Sequence, residues 1–406
     1  MTVHYNPMVG EKRDDPFQLA ARDRDEHPVV YVAEGDYFQV TSYEGVRSIA
    51  ANPSAFSSAL GGVTAQASGA SRILPMIDPP EHKLRRSIFA EAFKRRGILS
   101  YGPVMQQLAH ELLEGLPERG AFDLIGDVAF HLPVLMIARM LGVPGEDLDN
   151  FRRWSVASEM AASAIDVEKN GALTAQFHFY LADKLRERRR TANPPNDLLT
   201  HMIEAEWEGE TFTDEDIVDM AAFLIIAGNS TTTDGLGNTV MALEQNPAQK
   251  ALFLSDIPRH LSAVIEEGLR FDAPVHGLFR TATQDVVVEG AMIPKGARVQ
   301  MLWGAGNRDG KIYERPDDFD FARPRTAPHL TFGWGIHLCL GAQLARLELR
   351  VALATLYSRL PGLELKPGFR PRQKPGFILR GWSSAPMRFT GPIAPRSVTP
   401  VVHDAI

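Results

Sequence analysis

Residues 332–341 read FGWGIHLCLG and hold the only cysteine of the 406-residue chain, Cys339, among Gly333, Gly335 and Gly341, with His337 two positions before it. Beyond the cysteine, Leu340, Leu344, Leu347 and Val351 recur at helical spacing, so the thiol stands where a helix begins. A helix start carries roughly half a positive charge and unpaired N–H groups, which favour thiolate over thiol. The glycines let the backbone run close beneath a flat object. A lone cysteine in this setting has four readings. It is a small buried hydrophobe; a zinc ligand, for which no second cysteine is available; a nucleophile, which needs a histidine close in space; or an axial thiolate to haem iron. The residues alone leave these readings open.

The rest of the chain narrows the setting. With 44% hydrophobic and 23% charged residues the composition is that of a soluble globular protein. No Gly/Ser-rich or charge-rich linker divides it, which predicts a single domain over 1–406, with 1–15 and the proline-containing 391–406 loosely held. A net charge of −7 argues against nucleic acid or an anionic membrane as the main partner. One cysteine forms no internal disulfide. The amino-terminal residues lack the order of a signal peptide, and no window reaches roughly 18 uninterrupted apolar residues, so a cytoplasmic, unanchored protein is expected.

β-rich runs around Gly-Asp at 29–41 predict a hairpin, 286–302 predicts a second, and short strands are expected near 377–390. Helical periodicity dominates elsewhere: 104–116, 130–141, 172–189 and 214–245. The fold class is therefore mainly α with small β-sheets (α+β).

The stretch FGWGIHLCLGAQLARLE resembles the haem-binding loop of the cytochrome P450 family, whose pattern is met by Phe332, Gly333, Gly335, His337, Cys339 and Gly341. The resemblance runs from about residue 28 to 390 and implies that fold, with haem b (heme, iron protoporphyrin IX) between the cysteine loop and a long helix. It implies that Cys339 is the iron ligand, that His337 reaches a haem propionate and that Phe332 shields the sulfur. His82 and Arg86 follow a Pro pair in IDPPEHKLRR and sit four apart on one helix face; the family holds propionate-contacting residues there. Arg280, before a strand in PVHGLFRTAT, matches a further propionate-binding arginine. Glu267, Arg270 and Arg323 match the family's buried ion cluster and are read as scaffold.

The segment 214–245 opens with Thr213 and Asp216 as a capping box and carries FLIIAGNSTTTDG in its middle. Gly228 followed by Ser230, Thr231, Thr232 and Thr233 is poor helix-interior chemistry, and a rule broken mid-helix points to a site. In the family an Ala-Gly pair opens a groove for dioxygen, and a threonine three residues on supports it; here that is Thr231. The usual acid before the threonine is replaced by Ser230. A hydroxyl relays protons but does not store them as a carboxyl group does, so Ser230 and Thr231 are expected to organise water, with Asp234 or bulk solvent as the source.

Family pocket positions fall on Phe223, Ile226, Ala227, His276 and Leu278, on the loop 60–75 with Arg72, and around Phe377 to Leu379. Most are apolar, which favours a small apolar substrate. The implied reaction is insertion of one oxygen atom of O2 by a monooxygenase. Electrons must come from a separate ferredoxin or flavodoxin with its NAD(P)H reductase, since no flavin, nicotinamide or iron–sulfur motif is fused to the chain. The basic run 82–96, with Arg346 and Arg350, is a candidate docking face. A peroxide-driven or non-redox haem-thiolate enzyme and a haem-based sensor are the alternatives that Ser230 suggests.

Overall fold

The computed structural model describes residues 16–60, 73–90, 92–117, 120–143, 148–162, 165–207, 209–374 and 378–396. The amino-terminal part runs α1 (Pro16–Glu26), β1 (Val29–Val32), β2 (Tyr37–Val40), α2 (Tyr43–Ala50), β3 (Phe56–Ser57), α3 (Glu81–Ala90), α4 (Arg95–Ser100) and α5 (Gly102–Glu114). Next come β4 (Ala121–Asp123), α6 (His131–Leu141), α7 (Leu148–Ala162), α8 (Val167–Arg189), α9 (Leu198–Glu204) and the β5–β6 ribbon (Glu206–Trp207, Glu210–Thr211). The long α10 (Asp214–Gln245) is followed by α11 (Pro247–Ser255), α12 (Ile257–Phe271), β7 (Leu278–Ala282), β8 (Val286–Val288), β9 (Ala291–Ile293), β10 (Arg298–Met301) and α13 (Trp303–Gly306). The chain closes on α14 (Ala342–Arg359), β11 (Glu364–Leu365) and β12 (Pro386–Arg388).

This is the expected mainly helical architecture with small sheets. A five-stranded sheet has the order β1-β2-β10-β7-β3 and a second sheet the order β11-β12-β4. The first hairpin lies where expected. The stretch 286–302 is more than the one hairpin predicted: β8 and β9 pair with each other, while β10 leaves them to lie parallel to β2 and antiparallel to β7. The intervening turn through Gly296, at φ 85°, re-aims the chain. That register sets Arg280 opposite Val299 in mid-sheet.

The main core gathers α5, α6, α10, α12 and α14, with α10 touching α6, α7, α8, α12 and α14. At 32 residues α10 is about 48 Å long. The Thr213 hydroxyl accepts from Asp216 N–H, and Thr213 N–H donates to the Asp216 carboxylate, forming the predicted capping box. The segment Leu124–Leu141 is apolar enough to cross a membrane by composition, but 78% of it is buried inside the protein. Residues 391–396, expected to be loose, are tied down: Arg359 Nε donates to Ala394 O at 2.8 Å and Arg396 pairs with Glu114. Residues 1–15 and 397–406 lie outside the described residues.

Candidate active site between the cysteine loop and α10

Three backbone features shape the cysteine loop. Gly333 and Gly335 have φ of 72° and 68°, where side chains are strained, and a Cβ on Gly335 would lie 2.5 Å from Ala50 O of α2. Cys339 N–H donates to Phe332 O at 2.8 Å. The helix begins at Ala342, so Cys339 stands just ahead of the first turn, and Gly341 N–H bonds to its sulfur. Cys339 is accessible to water, yet enough protein surrounds it for burial to push its thiol up, against the pull of Gly341 N–H, Arg86 and Arg346. Gly341 N–H and these cations favour the thiolate, the form that a bound metal ion stabilises further.

Phe332 packs on the main core, with the Arg346 guanidinium 4.4 Å over its ring. Among the described residues no cluster of three or more His, Cys, Asp or Glu could hold a metal ion, and no histidine ring bonds to Cys339. The zinc and nucleophile readings lose their ground.

Positive charge converges beside the cysteine loop. The His82 and His337 rings lie 4.3 Å apart, and the charges of Arg280, His82 and Arg86 all act on His337. Burial and these cations push His337 down to about 2 and, through burial first, lower His82. Arg280 is buried, which pushes it down to about 10; it donates to Phe279 O and makes no ion pair among the described residues. The nearest opposing carboxylate, Asp78, is engaged by the Ser57 hydroxyl and Ser58 N–H. Arg86 donates to Leu338 O at 2.6 Å, and Ser58 Oγ lies 3.0 Å from His337 Nε2. His82 Nε2 and His337 Nδ1 are buried with no partner among the described residues. Orphaned nitrogens and a buried unpaired guanidinium are costly on their own. They fit a group that brings two carboxylates, such as the propionates of haem.

A second group of the expected site residues lies on α10. From Met220 to Leu243 it is buried except at Phe223, Ile226, Ala227, Gly228 and Thr231, which are half-buried. Positions 223, 227 and 231 are four apart, one stripe of the helix. The Ser/Thr run meets a different neighbour with each step of about 100°. Ser230 bonds to Glu159 of α7; Thr231 donates to Ala227 O at 2.7 Å; Thr232 bonds to Glu348 of α14; Thr233 donates to Ala129 O at 3.1 Å. The hydroxyls find partners, so α10 continues unbroken.

Leu278 is half-buried at the start of β7. His276 corrects the pocket assignment: it is buried edge-on to Phe17 and against Gly304, and burial beside Arg380 and Arg308 pushes it down to about 3. Val275 bridges to Leu379 and His276 N–H donates to Ile378 O, which seats its ring in the packed layer beneath α1. The 61–72 loop with Arg72 and Phe377 lie outside the described residues. A separate cleft of about 510 Å³ around Leu112, Leu116 and His131 contains none of these residues.

Two other expectations change. Asp234, offered as a proton source, is fully buried and bound to Lys374 Nζ at 2.7 Å. The basic face is thinner than its sequence: Arg85 points inward to Asp216 and Glu81, Arg346 is held by Glu266, and Arg350 is buried against Ser262. The scaffold cluster forms as expected, Glu267 receiving Arg270 at 2.8 Å and Arg323 at 3.0 Å.

A family model described as Cytochrome P450 matches residues 166–361. The chain is 38% identical over 315 residues to a vitamin D(3) 25-hydroxylase of Pseudonocardia autotrophica, covering 77% of this chain and 76% of that one. It is 36% identical over 358 residues to a nocardicin C N-oxygenase of Nocardia uniformis, covering 85% and 87%. Among solved structures, a mutant of P450 EryK in complex with erythromycin B superposes with TM-score 0.84 at 31% identity, covering 94% of this chain and 97% of that one. CYP109E1 from Bacillus megaterium in complex with testosterone superposes with TM-score 0.81 at 30% identity, covering 92% and 99%.

Proposed function

Because this chain belongs to the cytochrome P450 family, and is a bacterial haem-thiolate monooxygenase carrying haem b, we propose that it oxygenates a bulky apolar molecule, working unanchored in the cytoplasm with electrons from a separate ferredoxin or flavodoxin and its NAD(P)H reductase. Secosteroid, steroid and macrolide names among the relatives support the size class. The apolar half-open stripe of Phe223, Ile226 and Ala227 supports its character.

Cys339 would hold the iron; His82, Arg86, Arg280 and His337 would hold the propionates. The haem supplies activation of dioxygen, which a thiolate ligand favours by pushing electron density toward O–O cleavage. The chain's own residues do the rest. Phe332 would lie beside the sulfur, with the Arg346 guanidinium over its ring. Gly341 N–H and the nearby cations stabilise negative charge there. Thr231, whose hydroxyl already donates to Ala227 O, can keep that bond while its oxygen accepts from water in the stripe.

The observation that carries this reading is the gathering of His82, Arg86, Arg280 and His337 beside the loop of a lone cysteine, and the half-buried stripe of α10 supports it. The test is reconstitution: holoprotein assayed with ferredoxin, reductase and NAD(P)H, with peroxide alone, and with neither, using testosterone as the first probe of haem spin state. Product only in the first condition supports the proposal. Product with peroxide alone would favour the peroxide-driven alternative, and ligand-induced spectral change without any product would favour a sensor.

A further inference from the structure

The acid that position 230 lacks has a substitute in space. Ser155 and Glu159 are one turn apart on α7, both buried, and Ser155 Oγ and Glu159 Oε1 have no partner among the described residues. Ser230 and Asp234 are one turn apart on α10 and face the same place. Between the helices, Lys374 Nζ lies 2.7 Å from Asp234 Oδ1 and 4.0 Å from Glu159 Oε2. Two buried carboxylates thus share one ammonium, and the nearer, Asp234, takes it. Ionising both would leave a net negative charge inside the protein, so one proton is retained, on the carboxyl farther from Lys374.

We propose that Glu159 holds the proton that the α10 side of this enzyme delivers, and passes it through Ser230 to the stripe at Thr231. Glu159 is a residue of the proton path and does not touch the reacting atoms. The inference rests on the monooxygenase reading above. In the step, the Glu159 O–H bond breaks as its proton moves to Ser230 Oγ, and the Ser230 proton leaves for water beside Thr231. The carboxylate then takes a proton back from solvent. The electrons come from the reductase chain, and no protein group changes oxidation state.

The charged groups acting on Glu159 fit this use. Burial and the Asp234 charge push Glu159 up, to about 7, against Lys374 and the Ser230 hydroxyl. Arg152 acts on Lys374 in turn, and from α8 the neighbour is the neutral Thr174, on Ser158. A carboxyl group with its midpoint near neutrality both releases and regains a proton at working pH.

The experiment compares wild type, Glu159→Gln, Ser230→Ala and the double variant Glu159→Gln with Ser230→Asp, all as holoprotein. Infrared difference titration of the resting protein should show two buried carboxyl groups ionising near neutrality in wild type and Ser230→Ala, and in Glu159→Gln only the higher one, that of Glu348. With ferredoxin, reductase and NAD(P)H, Glu159→Gln should slow turnover by roughly tenfold or more and remove the inflection near pH 7. The added Asp at 230 should restore much of the rate. A Glu159→Gln protein that keeps the wild-type pH profile overturns the relay, as does the absence of the lower titration. Wild-type protein that titrates as expected but fails to turn over with reductant overturns the monooxygenase reading, and the relay with it.

Discussion

Arg85 of α3 meets Asp216 of α10 through two contacts, Nη1 to Oδ1 at 3.1 Å and Nη2 to Oδ2 at 3.2 Å, with both side chains buried. The same carboxylate closes the capping box at the start of α10. The guanidinium also lies 4.9 Å over the Phe212 ring. One arginine therefore joins the helix that bears His82 and Arg86 to the helix that carries the half-buried stripe.

Removing only one partner strands a buried charge, so Arg85→Ala should lower stability by about 3 to 5 kcal/mol, read from urea unfolding. Burial raises the Asp216 carboxyl, but the bonds from Arg85 and Thr213 outweigh it and leave it lowered. The sign follows: a depressed acid stabilises above its unfolded value, about 3.9, and that contribution is lost as pH falls through its folded value. Arg85→Ala should thus flatten acid unfolding at that end of the scale.

Glu348 of α14 predicts the opposite slope. Burial pushes it up to about 8 despite the Thr232 hydroxyl. A raised acid leaves full stability below its unfolded value, about 4.5, and loses it as pH rises toward 8. Glu348→Gln should match wild type near pH 4.5 and exceed it at pH 7 by on the order of 3 kcal/mol, measured by denaturant unfolding at both values.

Arg280 separates folding from cofactor retention. Without an ion pair its buried charge is a liability to the cofactor-free chain, so Arg280→Met should leave that form equally or more heat-stable. The same variant should release haem to apomyoglobin about tenfold faster, because a propionate loses its cation. Cys339→Ser should lose the thiolate absorption signature while leaving the helix content unchanged.

With Arg85, Arg346 and Arg350 engaged internally, the exposed cations of the candidate docking face are Lys83 and Lys94; the side chains of Arg95 and Arg96 are not described. Lys83→Glu should slow reduction by the ferredoxin a fewfold at low ionic strength, and the difference should shrink at about 0.5 M salt, where screening is strong. Stopped-flow reduction checks both limbs.

The cysteine loop was legible because its chemistry is contiguous: six positions within ten residues state the bend, the ligand and the helix that follows. His82, Arg86 and Arg280 were legible only through resemblance, since nothing in a basic helix face says which arginine turns inward. Periodicity located α10 but not the four directions of its hydroxyls, which depend on what packs at each step. Glu159 left no local signal; it reads as one acid in a polar helix until α7 is laid across α10. His276 went wrong for the same reason, because its seat is set by pairing with Ile378 and Leu379, which no local pattern shows.

Gly335 has a consequence in time. Its backbone rests against Ala50 O, so the loop that presents Cys339 takes its shape from a helix almost three hundred residues earlier. A contact of such sequence separation closes late, after the intervening chain has condensed. The nascent chain therefore acquires the shape of its cysteine loop only once residue 335 has been made and has met α2, and a copy that stops short of it has no seat in which to trap the cofactor prematurely.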